Sequence, residues 1–138
     1  MSDLISDRYR PSEDEPYMND AQREYFRRKL MHWREEILRG STETLRQLKE
    51  EDSRLADMSD WASFETERNF QLRSRDRERK LLSKIGEALR RIEDGSYGYC
   101  EETQEPIGLR RLEARPIATL SIEAQERHER RETAYRDD

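Results

Sequence analysis

The sequence predicts an all-α protein, in which a long antiparallel coiled-coil hairpin is joined to a small globular body. Three observations support this fold class. Charged residues make up 43% of the 138 residues and hydrophobic residues only 32%, which is too few for a large compact core. Apolar residues recur at alternating spacings of four and three over two long stretches, as in a heptad seam. Gly and Pro residues that form turns follow the second stretch, between residues 95 and 116.

The first 18 residues are polar, contain Pro11 and Pro16, and show no apolar periodicity, so we expect a flexible N-terminal segment over 1–18. This segment does not resemble a signal peptide, and no stretch of the chain has the length and apolarity of a membrane span. The chain contains a single cysteine. We therefore expect a cytoplasmic protein with no membrane association.

Residues 19–94 are predicted to form the hairpin. Asn19 is a suitable N-cap for the first helix, and Gln22 occupies the capping-box position three residues later. The register of the first helix continues past Gly40, which predicts one helix of about 30 residues rather than two. A second helix is predicted over roughly 61–94. The two predicted seams consist of Phe26, Leu30, Trp33 and Ile37 in the first helix, and Leu81, Ile85, Ala88 and Ile92 in the second.

The segment that links the two helices contains the helix-capping residues Ser53, Asp57 and Ser59 and no Gly or Pro. A short link between long helices of similar length makes an antiparallel hairpin, with its tip near residues 53–62. Such a hairpin forms within one chain, so we expect a monomer. Trp61 is either an exposed contact residue or a cover for the end of the hairpin.

The globular body is predicted over residues 95–138 and ends in a helix from about 121 to 136, with Ser121 as its cap. The body contains a degenerate zinc-finger-like segment that opens with Tyr-Gly-Tyr-Cys and has Thr103 three positions after Cys100. Ser121 and Ala124 repeat this spacing. One thiolate, two hydroxyl groups and a methyl group do not make a tetrahedral zinc site. We therefore expect no metal, with hydrogen bonds and packing around Cys100 in its place.

Several stretches of the chain resemble the DksA family of bacterial transcription factors. They are "YMNDAQREYFRRKL", "RSRDRERKLLSKI", "YGYC" and "GLRRLEARP", and the resemblance extends from Tyr17 to the last helix. It implies a non-enzymatic partner of RNA polymerase that inserts a coiled-coil arm through the secondary channel and destabilises promoter open complexes. The alarmone ppGpp strengthens this effect in the stringent response, at a site shared between factor and polymerase, with inhibition of rRNA promoters and activation of some biosynthetic promoters.

The resemblance also implies roles for particular residues. The family's tip motif, which acts at the polymerase active site, corresponds to Asp57, Asp60 and Ala62. The ppGpp-binding residues correspond to Leu81, Lys84 and Arg115, whereas a further family lysine is replaced by Gln125. The four zinc cysteines of most members correspond to Cys100, Thr103, Ser121 and Ala124, which implies a zinc-free, single-cysteine member.

Other functions remain in competition with this one. Two carboxylates three positions apart often do no more than cap a turn, and Asp57 can cap the helix while Asp60 makes a functional contact. The same architecture suits a Gre-like transcript-cleavage factor, whose tip carboxylates hold a catalytic magnesium ion, or a structural coiled-coil adaptor. Direct DNA binding is disfavoured because the net charge is -5 and basic residues are interleaved with acidic ones. No catalytic residues are predicted, since Cys100 has no recognisable base at suitable spacing.

Overall fold

The computed structural model describes residues 5–55 and 61–136, and the described chain is mainly helical. The helices are α1 (Asp20–Leu55), α2 (Trp61–Asp94), α3 (Leu109–Ala114) and α4 (Ile122–Arg136). Within the described residues, pairing of extended backbone is limited to an isolated antiparallel bridge between Tyr99 and Pro106. The all-α prediction is confirmed.

Helix α1 runs through Gly40 without interruption, as the continuous register predicted. It begins as the sequence indicated, since the backbone N–H of Gln22 donates to Asn19 Oδ1 at 2.8 Å. The capping box differs by one residue, because Gln22 Oε1 accepts the N–H of Met18 at 2.7 Å instead of that of Asn19. The backbone N–H groups of Met18, just before the helix, and of Gln22, in its first turn, are thereby satisfied.

The contacts divide the chain into two units, one made of residues up to Leu30 and from Glu87 onward, the other of residues 31–86. The core of the first unit is built from apolar side chains of α1, α2 and the segment that follows them. Its buried members include Phe26, Leu30, Ala88, Ile92, Tyr97, Ile107, Leu109, Leu112 and Ala124. Four of the predicted seam residues are therefore in this core.

The second unit contains the C-terminal part of α1 and the N-terminal part of α2. Ser41 Oγ donates to Glu78 Oε2 at 2.5 Å, which joins the two helices by a polar contact. Large apolar side chains remain exposed here, with Phe70 at 65% and Leu38 at 46% of their full exposure. Among the side chains described in this unit, Ile85 is completely buried.

Residues 5–18 form turns rather than helix or strand. The end of this segment is anchored, because Met18 is buried and the Tyr17 hydroxyl donates to Gly98 O at 2.7 Å and accepts from Gly108 N–H at 2.9 Å. The structure thus includes Tyr17 and Met18 in the packed part of the first unit. For the residues before them, flexibility stays a prediction.

One boundary and one element differ from those read in the sequence. Helix α1 continues to Leu55, past the predicted start of the tip at residue 53. Helix α3 was not predicted, since its six residues are too few to show a periodic pattern. Helix α4 begins directly after Ser121, as predicted. No helix within the described residues is long and apolar enough to cross a membrane.

Candidate functional site

The zinc-finger-like segment forms a tight hairpin around Cys100. The Cys100 N–H donates to Glu105 O at 2.8 Å, and Cys100 O accepts from Gln104 N–H at 2.8 Å. Ile107 N–H continues the pairing by donating to Gly98 O at 2.7 Å. Gly98 has a φ of 90°, a conformation that glycine adopts without the steric cost of a Cβ atom. The backbone alone therefore closes a loop of the kind that holds metal ligands in zinc ribbons.

The Cys100 sulfur is surrounded by hydrogen-bond donors, although its side chain is almost completely buried. Burial raises the pKa of the thiol, but hydrogen bonds from the Thr103 hydroxyl and from the backbone N–H groups of Ser121, Thr103 and Glu102 outweigh it. Together they lower the pKa of Cys100 to about 6. Neighbouring dipoles thus favour the charged form of the sulfur here, whereas a cation stabilises the cysteine of a zinc finger.

The residues at the other three ligand positions offer no further metal ligand. Ser121 caps α4, because its Oγ accepts the Ala124 N–H at 3.2 Å. Ala124 is fully buried and offers only a methyl group. Thr103 Oγ1 also accepts the N–H of Glu105 at 3.3 Å. This donor set does not fit a tetrahedral zinc ion, and the described residues contain no group of three potential metal ligands.

An ion pair and a hydrogen bond hold the outside of the same loop. Glu101 forms an ion pair with Arg91 of α2, and Glu102 is hydrogen-bonded to His128 of α4. The Arg91 backbone oxygen also accepts the N–H groups of Gly95, Ser96 and Tyr97. The loop is thus tied to α2, which precedes it, and to the C-terminal helix α4. The sequence did not reveal these pairs, because their partners lie on different elements of the chain.

The three residues predicted to bind ppGpp lie on different elements. Leu81 and Lys84 are three positions apart on α2 and so share a face of that helix, in the second unit. Arg115 directly follows α3 in the first unit. Lys84 and Arg115 are exposed, and neither has an ion-pair partner among the residues that the structure describes. The ppGpp role of these residues stays a prediction.

The predicted tip residues fall at the edge of the described structure. Asp57 and Asp60 lie outside the described residues. Ala62 belongs to the first turn of α2. The side chains of Trp61 and Ala62 are not among those that the structure describes. The roles assigned to this motif stay predictions.

These features define a class of protein: a helical hairpin combined with a zinc-finger-like loop and a capped C-terminal helix. Comparison with known sequences identifies the family. The family model of the DnaK suppressor protein DksA, N-terminal domain, matches residues 22–92, and that of the prokaryotic dksA/traR C4-type zinc finger matches residues 95–130. The chain belongs to the DksA family, as the sequence motifs predicted. This is a family of transcription factors and not of enzymes.

Relatives and a solved structure agree with this assignment. The RNA polymerase-binding transcription factor DksA of Caulobacter vibrioides is 68% identical over 94% of this chain and 92% of its own length. The protein of the same name from Escherichia coli K12 is 43% identical over 90% of this chain and 82% of its own. The structure of transcription factor DksA2 from Pseudomonas aeruginosa aligns with a TM-score of 0.80 and 50% identity, covering 85% of this chain and 90% of that one.

Proposed function

We propose that the protein is a transcription regulator that binds bacterial RNA polymerase through its secondary channel and destabilises promoter open complexes. The observation that carries this proposal is the 68% identity, over 94% of the chain, to a protein named for binding RNA polymerase. A factor with this partner works where transcription takes place, in the cytoplasm.

The effector end of the hairpin is assigned to Asp57 and Asp60, with Ala62 as the third residue of the motif. In the sequence, Asp57 and Asp60 fall between helix α1, which ends at Leu55, and helix α2, which begins at Trp61. Negative charge brought close to an active site that holds metal ions changes the local field strongly, because the ions are the largest charges there. We infer that this field, rather than a bond-forming reaction, is how the factor acts.

The regulatory ligand is assigned to ppGpp, with Leu81, Lys84 and Arg115 as its contacts on this chain. The ammonium group of Lys84 supplies a point charge, and the guanidinium of Arg115 supplies the planar fork that binds phosphate oxygens in pairs. At Gln125 the family's further lysine is absent, and the Gln125 amide donates to Glu129 of the same helix. We therefore expect weaker synergy with ppGpp than in members that keep this lysine.

The protein is also proposed to fold without zinc and to act as a monomer without direct DNA binding. We infer that the hydrogen bonds around Cys100 and the Ser121 cap take the place of metal ligation in four-cysteine members. The net charge of -5 does not favour binding to the phosphate backbone of DNA.

Multiple-round transcription from a ribosomal RNA promoter tests the function. Purified bacterial polymerase is assayed with wild-type protein and with Asp60→Asn, each with and without ppGpp. We expect inhibition that deepens with ppGpp and is lost in the variant, because the substitution removes the charge and keeps the shape. A wild-type protein without effect on transcription would contradict the proposal.

A transcript-cleavage factor is the second candidate, since it too would present carboxylates at the end of a helical hairpin. Stalled elongation complexes distinguish the two functions. The proposed regulator leaves the RNA intact, whereas a cleavage factor shortens it in a reaction that depends on magnesium. A failure to bind polymerase at all would favour the structural adaptor.

A further inference from the structure

We propose that Lys29, Tyr25 and Glu113 form a positioning element, which holds Arg115 in the orientation needed to bind the phosphates of ppGpp. This inference rests on the proposed function, because Arg115 owes its assignment to that proposal. None of the three residues touches the ligand in this scheme. They act through the backbone that connects Glu113 to Arg115.

The contact itself links α1 to α3 within the first unit. Lys29 Nζ lies 2.6 Å from Glu113 Oε2. Partial burial raises the pKa of the Glu113 carboxyl, but hydrogen bonds from Lys29 and from the Tyr25 hydroxyl outweigh it and lower the pKa. For Tyr25, burial and the hydrogen bond to Glu113 raise the pKa to about 12. Glu113 therefore accepts two donors from one face of α1 and is charged at neutral pH.

Helix α3 depends on such external contacts because it has only six residues. A helix this short is not stable alone, since too few hydrogen bonds form to offset the cost of nucleation. Leu109 and Leu112 anchor its buried side. Glu113 anchors its other side, two residues before Arg115, and so limits rotation of α3 about its apolar contacts.

Hydrogen bonds on both sides of Arg115 connect its backbone to α3 and to the segment that follows. The Arg115 N–H donates to Arg111 O at 2.7 Å, and Arg115 O accepts from Ala118 N–H at 3.0 Å. The next carbonyl, that of Pro116, accepts from the buried Tyr97 hydroxyl at 2.8 Å. These bonds fix the segment on both sides of Arg115. A change in the orientation of α3 therefore also changes the orientation of the Arg115 side chain.

The ion pair between Lys29 and Glu113 contributes little to global stability. Its effect on ligand binding can therefore be distinguished from an effect on folding. The side chains of Lys29 and Glu113 keep 35% and 36% of their full exposure. Ion pairs of this exposure are screened by solvent and stabilise proteins only slightly, whereas the buried Leu109 and Leu112 hold α3 in place. Loss of the pair is therefore expected to alter ligand binding more than unfolding.

The test compares Lys29→Gln and Glu113→Gln with wild type in transcription assays that are titrated with ppGpp. The expected result is a rise of about 5-fold in the ppGpp concentration that gives half-maximal synergy, the order that a single lost contact of this kind produces. Inhibition without ppGpp and the melting temperature remain at wild-type values. The exchanged pair, Lys29→Glu with Glu113→Lys, restores part of the ppGpp response.

Arg27→Gln is the matched control, since Arg27 also lies on α1 and pairs with a glutamate, Glu24, of its own helix. It is expected to respond to ppGpp as wild type does. The proposal is overturned if Lys29→Gln and Glu113→Gln leave the ppGpp response unchanged. It is also overturned if they reduce inhibition equally with and without ppGpp, because that marks a purely structural role. A wild-type protein that inhibits without any ppGpp response instead refutes the proposed ligand, and the polymerase role survives.

Discussion

The Tyr17 hydroxyl donates a hydrogen bond to the carbonyl oxygen of Gly98 at 2.7 Å, which joins the start of the chain to the loop that carries Cys100. The same hydroxyl accepts the N–H of Gly108 at 2.9 Å. Gly98 and Gly108 both have positive φ, so this oxygen connects two points at which the backbone changes direction. Tyr17 thus holds the two ends of the zinc-finger-like loop together.

Tyr17→Phe is expected to destabilise the protein by about 1–3 kcal/mol, the cost of leaving a partly buried donor without a partner. Gly98 O still accepts from Ile107 N–H at 2.7 Å, whereas Gly108 N–H loses its bond to Tyr17. Urea unfolding measures the change. Tyr99→Phe is the control, because the Tyr99 hydroxyl has no hydrogen-bond partner within the described residues. Equal stability of the two variants would contradict this role for Tyr17.

Gly98→Ala is expected to destabilise the protein by about 1–3 kcal/mol. The backbone conformation at this position is unfavourable for alanine, and the added Cβ atom would overlap with neighbouring side chains. Gly98 has a φ of +90°, and the new atom would lie 2.9 Å from Met18 Cγ and 3.2 Å from the Tyr17 hydroxyl oxygen. Gly86→Ala is the matched control. Gly86 lies within α2 with nothing inside 4 Å, so alanine there is neutral or stabilises by up to about 1 kcal/mol. Thermal unfolding that ranks the variants in the opposite order would refute the argument.

The Cys100 thiolate predicts a pH dependence of stability. Its pKa is lowered from 9.0 to about 6 in the folded protein, so the stability it contributes is present above pH 9 and is lost as the pH falls towards 6. The difference in free energy of unfolding between wild type and Cys100→Ser should therefore grow from pH 6 to pH 9, by at most about 1.4 kcal/mol per pH unit. A difference that is constant over this range would show that Cys100 is an ordinary thiol.

Metal analysis of the purified protein is expected to find no stoichiometric zinc. A chelator should leave the melting temperature unchanged, because hydrogen bonds to Cys100 and the Ser121 cap, rather than ligation, close the loop. One zinc ion per chain, retained through purification and removed with loss of folding, would contradict this prediction.

The helices could be predicted because their signals are local and repeated. The Asn19 and Ser121 caps and the seam that includes Phe26 and Ile85 follow from residue type and spacing alone. The Lys29–Glu113 and Tyr17–Gly98 contacts could not be predicted, since their partners lie far apart in sequence and no periodicity links them. Helix α3 was missed because tertiary contacts, rather than its own short sequence, stabilise it.

The lifetime of open complexes at a ribosomal RNA promoter tests the central claim most directly. Preformed complexes of bacterial polymerase and promoter are challenged with a competitor, in the presence of wild-type protein or of Asp60→Asn. The proposed function predicts that wild-type protein shortens the lifetime, that ppGpp shortens it further, and that the variant binds polymerase without this effect. A lifetime that wild-type protein leaves unchanged, at concentrations that saturate polymerase, would contradict the claim.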